Sequence, residues 1–208
     1  MPALEPDAHG VREFHVKITL WRNPIICNHM KITFIRHGES EANVAACIND
    51  DPARPIHLTE LGRAQAGSLA ARLRSEPFTL AYASEVPRTV ETAAILLGHH
   101  ACRLVIDPRL NERRSGMDGL PVAVFNDLVR RDPLRIKPAK GESFLEQMER
   151  VRSFLDEVAG NQPGSVVLAV SHENPILAAL ALSGGDPEKV VRGSLANCGR
   201  VDLMWPPR

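Results

Sequence analysis

Arg36-His37, Ser171-His172 and Ser84-Glu85-Val86-Pro87-Arg88 are polar turns that follow directly on the apolar runs ITFI, VVLAV and LAYA. An imidazole can act as a nucleophile or a general base, and a guanidinium grips oxyanions with a planar fork of donors. If the three runs are parallel strands, two histidines and two arginines meet at one sheet edge. Helices starting there offer unpaired N–H groups that favour an anion. Arg88 is the informative member, because the macrodipole disfavours a cation in a first helical turn. A surface pairing with Glu85 or Glu91 would explain it as well. A histidine at a strand end is, taken alone, usually a hydrogen-bonded core residue. The three junctions together describe a phosphate pocket.

The elements that must carry these turns alternate along the chain. KITFI reads as a strand and SEANVAACI as a helix capped by Ser40. LTELGRAQAGSLAARLRSE reads as an amphipathic helix capped by Thr59, with Leu61, Leu69 and Leu73 near helical spacing. LAYAS, CRLVID, SVVLAVSH and RVDLMW are expected strands. PRTVETAAILLG, PVAVFNDLVRRD, SFLEQMERVRSFLDEVAG and PILAALALSGG are expected helices. Such alternation predicts an α/β fold, a three-layer sandwich around a mostly parallel central sheet. VVLAV has the continuous apolar character of a strand buried on both faces. In open α/β sheets the ligand site lies beyond the carboxyl ends of the strands, which is where the polar turns fall.

The chain has 208 residues, 44% of them hydrophobic and 24% charged, enough for one domain with a real core. Its formal net charge is zero and aromatics make up 4%, which argues against nucleic acid or an anionic membrane surface as partner. No apolar run reaches the ~20 residues that a membrane span needs. Cys27, Cys47, Cys102 and Cys198 are scattered, suiting neither a zinc site nor a disulfide framework. The sequence therefore reads as cytoplasmic. Residues 1–29, broken by Pro2, Pro6, Gly10 and Pro24, read as an accessory extension in which VREFHVKITLW could form one strand. Residues 30–208 read as the catalytic domain. No pattern bears on oligomeric state.

The motifs RHGES-EAN (Arg36 to Asn43), LTELGRAQA (Leu58 to Ala66), ASEVPRTVETA (Ala83 to Ala93), LNERRSGMDG (Leu110 to Gly119), GESF (Gly141 to Phe144) and VSHENPI (Val170 to Ile176) occur in this order. In that combination the chain resembles the histidine phosphatase superfamily, the phosphoglycerate mutase-like phosphatases. The resemblance implies a phosphoglycerate mutase-like fold and hydrolysis of a small phosphomonoester with neither metal nor cofactor. It implies that His37 is the nucleophile and forms a phosphohistidine. Arg36, Arg88 and His172 would hold the nonbridging oxygens, with charge from the arginines and an imidazolium. Asn43 would add a hydrogen bond to the phosphoryl group, and Glu112 would be the proton donor and acceptor. Glu173 and Asn174 would sit at the phosphate or substrate site, Glu142 at its edge, and Glu39 would be structural.

Two features depart from the family pattern. Glu173 stands where the family usually has Gly, so a carboxylate lies beside the expected phosphate site. It either turns to solvent and caps its helix, pairs with a cation, or reads a cationic or hydroxyl-rich leaving group. Ser115 stands where the mutases usually carry Tyr, and only a short segment separates Arg130-Arg131 from GESF, where mutases have a long shielding stretch. These differences favour phosphatase over the alternatives, a phosphoglycerate mutase or a non-catalytic phospho-ligand binding protein. Arg113, Arg114, Arg130, Arg131, Arg135, Lys137 and Lys140 form a basic cluster that reads as a solvated face or a source of lid residues.

Overall fold

The computed structural model describes residues 29–206. The strand expected in VREFHVKITLW, and the extension of residues 1–29 apart from His29, lie outside these residues. The strands are β1 (Met30–Arg36), β2 (Leu80–Ala83), β3 (Leu104–Ile106), β4 (Val166–Ser171) and β5 (Arg200–Trp205). The helices are α1 (Glu41–Val44), α2 (Glu60–Leu73), α3 (Pro87–Leu96), α4 (Val122–Val129), α5 (Phe144–Asn161), α6 (Glu173–Leu182) and α7 (Pro187–Val190). One sheet runs in the order β3-β2-β4-β1-β5. β5 is antiparallel to β1, and the other pairings are parallel.

Side chains alternate along the strands, and both faces of the sheet are covered. Ile32, Phe34, Val167 and Ala169 pack with α5 and α6 on one side. Ile35, Leu168 and Val170 pack with α2 and α3 on the other. Central strand β4 therefore has apolar residues at every interior position, which is why VVLAV shows no polar alternation. Burying one of these side chains contributes about 1.5–3 kcal/mol. The fold is the expected α/β sandwich, and among the described residues no helix is long and apolar enough to cross a membrane.

Several local expectations change. The helix after Ser40 is one turn long, because the chain leaves helical geometry at Ala46, whose φ is 48°. In α2, Leu69 and Leu73 face the core, whereas Leu61 is 55% exposed. The core face of α2 is completed by Ala66 and Ala70 instead. Gly98 lies inside a 3-10 turn, Leu97–His99, that follows α3.

Candidate active site

The sheet register sets the three polar turns level with one another. Arg36 at the end of β1 lies opposite Ser171 at the end of β4, and Ala83 of β2 lies opposite Val170. His37, Ser84 and His172 follow at the same edge, and α3 and α6 start from the last two turns. Gly38 has a different task from the turn its position suggests. A Cβ there would fall 2.5 Å from the Gly62 carbonyl oxygen, and one on Gly62 would fall 2.0 Å from that of Glu39. Each backbone needs the other to lack a side chain, so the glycines of RHG and LTELG act as a pair. Thr59 caps α2 through the Gly62 N–H and donates its hydroxyl to Glu39, which fixes the same contact and gives Glu39 its structural part.

The hydrogen bonds define the state of His37. Its Nδ1–H donates to the Gly38 carbonyl at 2.7 Å, leaving the Nε2 lone pair to accept from Arg88 Nε at 3.1 Å. Arg88 also donates from Nη2 to His172 Nδ1 at 3.0 Å and to the Asn49 carbonyl at 2.9 Å, and from Nη1 to Asn49 Oδ1. It pairs with neither Glu85 nor Glu91: Glu85 accepts from Asn111, and Glu91 pairs with His57 and Arg63. With Nδ1 accepting, His172 donates from Nε2 to Ser84 Oγ at 2.8 Å, and the Ser84 hydroxyl donates to Thr89 Oγ1 at 2.7 Å.

Both imidazoles are held well below the usual histidine range, first by burial and then by the Arg88 charge. The resting site therefore carries two neutral rings, and its positive charge resides in Arg36 and Arg88 rather than in an imidazolium. Burial lowers Arg88 to about 10, which leaves it charged at neutral pH. His172 is fully buried and stands behind Arg88.

Glu112 sits across from these groups, its Oε1 accepting from the Arg113 amide at 2.7 Å. Its pKa is raised by burial, against the pull of that amide and of Arg88; the Glu173 charge raises it further. The loop bearing it is pinned from behind. Arg150 donates to the carbonyls of Arg109 at 2.6 Å and Asn111 at 3.1 Å, and pairs with Glu142 at 2.5 Å. Glu142 is 1% exposed, so it is a buried anchor under the loop and not an edge-of-site residue. Arg113 leaves the expected solvated cluster too. It is buried, donates to the carbonyls of Glu142, Pro133 and Ile136, and lies over the Phe125 ring at 5.1 Å.

A cavity of about 560 Å³ opens above this floor, and Arg36, His37, Asn43, Arg88, Glu112, Glu173 and Asn174 line it. Val122, Phe125 and Val129 of α4 form an apolar wall, and Arg130 stands at its end. Of the expected site residues, His172 alone does not reach the cavity surface. Asn43 Oδ1 accepts from the Ser40 N–H at 3.0 Å and from Asn197 at 3.2 Å, which leaves its Nδ2 donors for a ligand. Of the arrangements open to it, Glu173 takes the ion pair, with its side chain partly exposed at the cavity surface. Its Oε1 pairs with Arg36 Nη1 at 3.3 Å and accepts from the Leu195 amide at 2.6 Å.

Two asparagines escape a reading of the sequence. Asn49 orients Arg88, and Asp118 holds Asn49 and the loop after it. Asn197 donates to the His37 carbonyl at 3.1 Å from the NCG segment, whose Cys198 thiol burial pushes up to about 11, far from a thiolate. Neither asparagine lies in a catalytic-looking motif. Their only signal is an amide side chain near the expected junctions.

Comparison with known proteins agrees with this geometry. The model of the histidine phosphatase superfamily (branch 1) matches residues 32–207. A probable phosphoglycerate mutase GpmB from Photorhabdus laumondii is 32% identical over 191 residues, 86% of this chain and 87% of its own. Among solved structures, a mycobacterial glucosyl-3-phosphoglycerate phosphatase in complex with VO3 superposes with a TM-score of 0.74 at 25% identity, over 83% of this chain and 90% of its own. A putative alpha-ribazole-5'-P phosphatase from Escherichia coli K-12 gives 0.72 at 26% identity, over 84% and 90%. The family model spans nearly all the described residues and the sheet carries the motifs in the family's order, so the chain belongs to the histidine phosphatase superfamily.

Proposed function

We propose that the protein is a metal-independent phosphomonoesterase working through a phosphohistidine on His37. The observation that carries this reading is the tautomer of His37: the Gly38 carbonyl takes the Nδ1 proton, so the Nε2 lone pair faces the cavity side and Arg88. In the first step Nε2 attacks phosphorus and the ester P–O bond breaks. The leaving oxygen takes the proton from the Glu112 carboxyl. In the second step Glu112, now a carboxylate, accepts a proton from water as the water oxygen attacks phosphorus. The N–P bond breaks, returning neutral His37, a protonated Glu112 and free phosphate. Arg36, Arg88 and the Asn43 amide offset the charge on the nonbridging oxygens. His172 holds Arg88 in the resting form, and a bound dianion would favour its taking up a proton and donating as well.

Mutase chemistry is the second reading. It is favoured by the relative described as a probable phosphoglycerate mutase and by Arg130 lining the cavity. Against it stands the short chain between α4 and α5, which gives a phosphoenzyme little cover from water. A panel of phosphomonoesters assayed in chelator separates the readings. Release of inorganic phosphate, lost in His37→Ala, supports the phosphatase. Phosphoglycerate isomerisation without free phosphate supports the mutase, and hydrolysis surviving in His37→Ala contradicts the mechanism.

A further inference from the structure

Arg36, Glu173 and Leu195 close a triangle at the cavity wall. Arg36 Nη1 donates to Glu173 Oε1 at 3.3 Å and to the Leu195 carbonyl, while the Leu195 amide donates to the same Glu173 oxygen at 2.6 Å. This ties the end of β1, the start of α6 and Leu195, which directly follows the cavity-lining residues Gly193 and Ser194, into one unit. The triangle holds one corner of the guanidinium. Arg36 Nε is buried and, among the described residues, has no partner. An unpaired buried guanidinium donor is costly, so its presence beside a phosphate site points to a ligand oxygen as its partner.

We propose that Glu173 is a positioning residue of the phosphatase site: it holds Arg36 with its remaining donors toward the phosphoryl group. This rests on the phosphatase reading above. A carboxylate beside a phosphate site would normally repel the ligand. Here one oxygen is directed at Arg36 and a backbone N–H, so the charge is met before the ligand arrives.

Glu173→Gln and Glu173→Gly test this, because glutamine keeps an oxygen for Arg36 and Leu195 whereas glycine removes it. Inorganic phosphate binding, measured by calorimetry, should weaken about tenfold in Glu173→Gly and by no more than about twofold in Glu173→Gln. Phosphate binding in Glu173→Gly as tight as wild type, or tighter, overturns the positioning role. Glu173→Ala replaces the glycine variant if that one does not fold. Because calorimetry needs no turnover, an inactive wild-type protein would count against the phosphatase reading alone, and the binding comparison would still decide the positioning role.

Discussion

Arg88 Nε points at His37 Nε2 across 3.1 Å, so the guanidinium covers the lone pair to which the proposed mechanism assigns the attack on phosphorus. The resting imidazole is thus held neutral but covered. An arriving phosphoryl group offers Arg88 stronger, charged acceptors than an imidazole nitrogen. On the proposed mechanism Arg88 would transfer its donors to the substrate and release the lone pair toward phosphorus.

Asn49 shares the hold on Arg88 through its side-chain and backbone oxygens. Asn49→Ala removes the side-chain acceptor and leaves a buried charged donor unmatched. We expect kcat/KM to fall about tenfold. Steady-state kinetics with a single phosphomonoester checks this, and an unchanged value would mean that Arg88 is held by other groups.

On the proposed mechanism Glu112 serves as acid and base, whereas phosphate binding falls to Arg36, Arg88 and Asn43. Glu112→Gln should reduce kcat by about 10²–10⁴-fold. The inhibition constant of inorganic phosphate should stay near the wild-type value. The loss should be largest for substrates with poor leaving groups, since these depend most on the proton.

The two pKa shifts fix the direction of the pH profile. His37 is lowered, so its attacking neutral form is present at and above the ordinary histidine range and is lost only as pH falls through the lowered value. Glu112 is raised, so its proton-bearing form persists above the ordinary carboxylate range and is lost as pH rises through the raised value. The kcat/KM profile should be a bell, with its acid limb below pH ~6.5 and its alkaline limb above pH ~4.3. These limbs are read from the wild-type profile, and Glu112→Gln should abolish the alkaline one.

Much of this was legible in the residues. The strand-then-polar-turn pattern at ITFI-RH and VVLAV-SH announces both the sheet and its functional edge, because apolar continuity and the switch to polar residues are local properties. Arg88 was legible for a related reason, as a cation placed against a helix dipole. Asn49 and Asn197 were not, because what makes them matter is a hydrogen bond to a residue 39 positions away in one case and 160 in the other. Glu142 and Arg113 read as site-edge and surface charges, since sequence gives no sign that a charged residue is buried until its partner is known. The neutral state of His172 likewise depends on burial and on Arg88, and both arise only in the folded chain.

Gly62 shows how a remote motif supports the nucleophile. Gly62→Ala places a methyl group 2.0 Å from the Glu39 carbonyl oxygen, so backbone must move. We expect a loss of about 1–3 kcal/mol in stability, read by denaturant unfolding. Activity should fall with it, because the displaced segment begins at His37. A stable and fully active variant would show that the RHG turn tolerates the shift.

The proposed mechanism requires His37 to carry the phosphoryl group. Rapid acid-free quenching of wild-type protein and a phosphorus-labelled substrate, followed by peptide mapping, tests it directly. Label is expected on the peptide containing His37, stable in alkali, lost in acid and absent from His37→Ala. Hydrolysis proceeding at the wild-type rate with no labelled protein at any time point, or with label on another residue, would contradict it.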